Sequence, residues 1–100
     1  MQIKGKEIGF LYTVGAYCDY ADWCVANAKA STASAELVKA EYMSRAYADA
    51  NGTKDFITVK ELRSLMPYEI TEIMAEVAKA EKAGRERQID TEDTPKKKEK

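Results

Sequence analysis

Hydrophobic and polar positions change period twice along this chain, and each change marks an element. At the start, Ile8, Phe10 and Tyr12 alternate with other residues, the pattern of a strand with one buried face. Gly5-Lys6 before them suits a two-residue hairpin turn, a register that sets Lys4 opposite Glu7 and Ile3 opposite Ile8. From Thr13, a plausible N-cap, the period becomes helical: Val14, Tyr17, Cys18, Ala21, Cys24, Val25 and Ala28 form one stripe. Tyr20 and Trp23 fall beside it. The hydroxyl-rich "KASTAS" interrupts the pattern, and a second helix is expected over about 35–50, carrying Leu37, Val38, Ala40, Met43, Ala46 and Tyr47.

Asn51-Gly52 should stop that helix, because both residues tolerate left-handed backbone. Thr58 and Glu61 then have capping-box spacing, with Ile57 and Leu62 placed for a hydrophobic staple, so a short helix is expected over 59–66. Pro67 suits the first turn of a last helix, where Ile70, Ile73, Met74, Val77 and Ala78 make the cleanest stripe of the chain. Gly84 should end it. Residues 85–100, "RERQIDTEDTPKKKEK", contain one large apolar residue and are expected to be a disordered charged tail. The fold class expected is mainly α: an N-terminal β-hairpin, about four helices in one domain over 1–84, and the tail.

The stretch "YADANGTKDFITVKEL", 47–62, superficially resembles a calcium loop. With Gly52 at the sixth position, Asp49, Asn51 and Asp55 fall at the third, fifth and ninth. The first position is then Tyr47 and the twelfth Thr58, so the acidic anchor and the bidentate glutamate are missing, and Lys54 projects from the loop. A helix stop, a short extended connector and a capped helix start explain the same residues better. No metal site and no cofactor are expected.

Cys18 and Cys24 are separated by roughly 600° of helical rotation, so they cannot bridge within one helix and are expected as small core residues. Tyr17 and Tyr47 lie on core stripes. Tyr20, Trp23 and Tyr68 are the aromatic candidates for a partner surface, since tyrosine and tryptophan are enriched at interface hot spots. The stripe of Ile70, Ile73, Met74 and Val77 admits two uses. Closure of the core on the first helix is the simpler one; a groove for amphipathic helices, with Tyr68 beside it, is the other.

Composition narrows function mainly by exclusion. Net charge is −1 from 16 basic and 17 acidic residues, which gives no electrostatic footprint for nucleic acid. With no histidine, the usual general base and the commonest transition-metal ligand are missing. No carboxylate pair sits in an apolar setting that would split its pKa values, so no catalytic residue is assigned and no enzyme is expected. No apolar run approaches a membrane span, and "MQIKGKEIGF" lacks the apolar stretch of a secretory signal. A cytoplasmic protein with reduced thiols is expected.

"IKGKEIGFLYTVGAYCDYADWC", residues 3–24, resembles the opening of small tail assembly chaperones of long-tailed phages. These begin with a strand, a GKE-type turn, a second strand and a Thr-x-Gly-Ala helix start, here Thr13 to Ala16. Beyond those residues the likeness is one of layout: about a hundred residues, mostly helical, with a charged end. The resemblance implies no catalysis. It implies binding of the tape-measure protein until tail-tube subunits polymerise around it, contact of some members with the tube subunit through a frameshifted longer form, and self-association in many. The lysine run at 96–98 is what an A-rich slippery codon series would leave. The alternative is a small cytoplasmic adaptor or regulatory module of phage or bacterial origin that shares only the layout.

Overall fold

The computed structural model describes residues 1–93, and the side chains of 1–86. Strands β1 (Gln2–Ile3) and β2 (Lys6–Glu7) pair antiparallel, with Gln2 opposite Glu7 and Ile3 opposite Lys6. The turn is therefore Lys4-Gly5, one residue earlier than the sequence suggests. Both residues have positive φ, 52° and 78°, as a type I′ turn requires, and the glycine occupies its second central position. The physical reason for the register is burial. It puts Ile3, Lys6 and Ile8 on one face, with Ile3 and Ile8 in the core. Lys6 snorkels from that face to the Phe56 carbonyl (2.8 Å) and the Glu61 carboxylate (3.0 Å), tying the hairpin to a segment fifty residues away.

An extended segment leads from the hairpin to α1 (Val14–Ala26). Its Leu11 N–H donates to the Met43 carbonyl, and the Tyr47 ring lies flat against Gly9, where a Cβ would stand 2.5 Å from ring carbons. Thr13 caps α1 by accepting from the Ala16 N–H at 3.1 Å, as expected. Ser31, whose side chain accepts from the Ser34 N–H, caps α2 (Thr32–Asn51). The helix thus starts three residues before the expected 35, because the hydroxyls of "STAS" cap rather than interrupt.

Helix α2 is the hub on which α1, α3 and α4 pack. It places Val38, Ala40, Met43, Ser44 and Ala48 in the core and ends at Gly52, φ 68°. Helix α3 (Val59–Arg63) has the anticipated capping box, with Ile57 and Leu62 both buried. It is shorter than the expected 59–66: the chain turns at Ser64, whose N–H donates to the Glu61 and Leu62 carbonyls, before Pro67 opens α4. Helix α4 (Pro67–Asp93) buries Ile73 and Val77 among Ile3, Ile8, Met43, Ile57 and Leu62.

Helix α4 passes Gly84 without a break, contrary to the expected stop. Glycine costs a helix interior only about 1 kcal/mol relative to alanine, and the flanking Ala, Glu, Lys and Arg are good helix formers. Its small size serves packing instead. A Cβ at Gly84 would stand 2.8 Å from the Tyr12 carbonyl oxygen. The tail expected from residue 85 therefore begins inside α4, and its last part, 94–100, lies outside the described residues.

Candidate partner-binding surfaces

Between α2 and α4, the loop after α3 and the first turns of α4 leave an open groove of about 540 Å³. Leu37, Leu62, Leu65, Ile70 and Met74 line it, with Glu36 and Arg63 among its polar residues. Ile70 and Met74 reach it because α4 turns only half of its stripe toward the core. Ile73 and Val77, one turn apart on the inner line, are each 2 % exposed and belong to the core. Of the four apolar candidates on α4, two thus face a surface and two do not. Closure of the core by α4 is as expected, but it occurs on α2 and the hairpin; α1 buries only Ala16. At the α3–α4 corner Tyr68 is 71 % exposed and Met66 also lies open, beside the groove-lining Pro67.

A second apolar surface lies on α1, opposite to the side the sequence suggests. Val14, Tyr17, Cys18 and Val25, expected in the core, are exposed. Ala16 is the buried residue, and Tyr20, Trp23 and Cys24 are half-buried on the same side. Two of the residues assigned to a partner surface, Tyr20 and Trp23, thus help to hold α1 in place. The reason is compositional: α1 is apolar around more than half its circumference, with charges only at Asp19 and Asp22. Its apolar positions supply two faces, and α2 takes the one with small Ala16 at its centre.

Neither cysteine is a core residue, and both are free thiols. Burial, with a hydrogen bond to Cys24, pushes the Tyr20 phenol above its usual pKa. Lys39 lies over that ring, 5.2 Å from its centroid, and pairs with Glu81 (3.2 Å) and Glu36 (3.5 Å). Burial alone would lower the Lys39 ammonium. The Glu81 hydrogen bond and the two carboxylate charges outweigh it and hold the group above its ordinary value.

In the calcium-like stretch the Asn51 side chain is bonded locally, while the Asp49 and Asp55 side chains are exposed. The Asn51 amide donates to the Tyr47 carbonyl at 2.8 Å, and the Asp49 and Ala48 carbonyls accept from the Gly52 N–H. No group of three or more His, Cys, Asp or Glu side chains is placed to hold a metal ion among the described residues. The connector is fastened by contacts invisible in local sequence. Buried Ser44 accepts from the Ile57 N–H (3.1 Å) and donates to the Glu41 carbonyl (2.9 Å). Glu41 accepts from the Val59 N–H (2.8 Å) while its other oxygen holds Arg45, whose guanidinium lies over the Phe56 ring at 4.2 Å. Serine within a helix is an ordinary surface residue by composition, and only its contact with the connector reveals the role.

No described helix is long and apolar enough to cross a membrane. The chain matches no family model, no curated protein and no solved structure.

Proposed function

We propose that the chain is a non-enzymatic tail assembly chaperone of a phage or prophage, binding the tape-measure protein in the host cytoplasm. The observation that carries this reading is the run of residues 3–24: two short strands around the Gly5-Lys6-Glu7 motif, then a Thr13-capped start to an aromatic-rich helix, which resembles the opening of those chaperones. The helical layout of the remainder agrees with it. The groove of Leu37, Leu65, Ile70 and Met74 has the chemistry such a role needs, an apolar trough with a flexible methionine for the apolar face of an amphipathic segment. Contact with the tail-tube subunit, and self-association, belong to the same proposal.

Co-expression tests it. The tape-measure protein encoded beside this gene should be soluble with this chain and aggregate without it. Equal solubility in both cultures overturns the reading. Gene order gives a second check: a tail-tube gene upstream and a very long tape-measure gene downstream are expected.

A further inference from the structure

We infer that the partner segment received by the α2–α4 groove is an amphipathic helix with aspartate or glutamate beside its apolar stripe, placed to pair with Arg63. This rests on the reading of that groove as the partner site, and adds the charge its occupant must carry. Leu37 on α2 and Ile70 and Met74, one turn apart on α4, give the trough apolar walls against which the stripe of an incoming helix packs. Among the described residues, two charged side chains line it, Glu36 from α2 and Arg63 from α3.

The two charges differ in state. Glu36 is held by Lys39 at 3.5 Å. Arg63 is exposed and makes no ion pair among the described residues. The neighbouring acids are engaged elsewhere. Glu41, one turn along α2 from Leu37, is bonded to Arg45 and to the Val59 N–H, and Glu61 is held by Lys6. Glu69 and Glu72 on α4 lie roughly 140° and 160° round the helix from Met74, and Glu69 accepts from the Met66 N–H. On the groove side of α4 the residues bordering Met74 are Thr71, Ala75 and Ala78, none of them charged. The nearest unpaired cations in sequence, Lys60 on α3 and Lys29 before α2, share the sign of Arg63. The charge left free at the groove is therefore the Arg63 guanidinium, whose fork of donors fits a carboxylate at two points.

The probe is a labelled helical peptide with leucines at i, i+3, i+4 and i+7 and glutamates flanking them, compared with its isomer carrying lysines at the glutamate positions. Fluorescence anisotropy at low ionic strength should show the glutamate peptide binding the full chain about fivefold tighter, since one exposed charge pair is gained and one repulsion avoided. Arg63→Gln should level the two affinities and Arg63→Glu should reverse their order. Lys60→Glu should keep the glutamate peptide preferred, and Met74→Glu should abolish binding of both. Circular dichroism checks that each variant is folded. Equal affinity of the wild type for the two peptides, with both lost in Met74→Glu, overturns the inference and leaves the groove standing as a docking site. A preference that survives Arg63→Glu also overturns the inference alone. Binding of neither peptide, or binding that survives Met74→Glu, overturns the groove as the partner site and the inference with it. Light scattering that shows a dimer dissolved by Met74→Glu assigns the groove to a second copy and overturns the inference too.

Discussion

Glu61 joins three parts of the chain, and its replacement offers a measurable account of what holds the connector. One carboxylate oxygen accepts from the Thr58 N–H at 3.1 Å, and the group also meets Lys6 Nζ at 3.0 Å. Removing it leaves the Thr58 N–H without its capping partner, a loss of about 0.5–1.5 kcal/mol. The ion pair adds roughly 0.2–1 kcal/mol, kept at the surface scale because both side chains remain almost a third exposed, 28 % and 30 %. Alanine's better helix propensity returns a few tenths. Glu61→Ala should therefore destabilise the protein by about 1–2 kcal/mol, a Tm lower by roughly 5–10 °C for a chain of this size.

Glu61→Gln separates the two terms, since glutamine can still close a capping box but carries no charge. The Lys6 hydrogen bond, and then the Thr58 N–H, hold the Glu61 carboxyl below its ordinary pKa. A lowered folded-state pKa gives stability that is complete above the unfolded value, about 4.3, and drains as pH falls through the folded value. The gap between wild type and Glu61→Gln should thus be full at pH 7 and close as pH falls through the lowered folded-state value. Urea unfolding followed by Trp23 fluorescence, in a cycle with Lys6→Met, measures it. A coupling energy of zero, or a gap unchanged between pH 7 and pH 2, refutes the assignment.

Other substitutions test packing. Ile73→Ala should cost about 2–5 kcal/mol, because the side chain is in the core. Met74→Ala, on the groove wall, should cost under about 1.5 kcal/mol by the same chemical denaturation, its site being open to solvent. Gly84→Ala pits a helix gain of about 1 kcal/mol against overpacking of about 1–3 kcal/mol on the Tyr12 backbone, so a net loss is expected, read as a lower Tm. Alkylation by iodoacetamide, followed by mass spectrometry of the native protein, should label exposed Cys18 before half-buried Cys24.

What could be read from the sequence follows the range of the interactions involved. Thr13, Gly52 and the Thr58–Glu61 box act within four residues, and each was legible because its partners are near in sequence. The facing of α1 was not legible. Periodicity locates an apolar stripe, but α1 has apolar positions on two sides, and only the Ala16 contact with α2 decides which is buried. The hairpin register shifted by one because burial of Ile3 and Ile8, with Lys6 reaching Glu61, outweighs the turn preference inferred for Gly5-Lys6. Gly84 looked like a stop because a glycine's close approach to Tyr12 leaves no local trace. Among the candidate site residues, spacing found the α4 stripe, yet only packing could divide it into core (Ile73, Val77) and groove (Ile70, Met74).

The most direct measurement is the yield of soluble tape-measure protein co-expressed with the wild-type chain, with Met74→Glu and with Lys60→Glu. Met74 lines the groove, and Lys60 lies exposed on α3 outside it. Solubility should depend on the wild-type chain, survive Lys60→Glu and be lost with a folded Met74→Glu. A tape-measure protein that stays soluble without the chain, or one equally soluble with Met74→Glu, contradicts the proposed role of the groove.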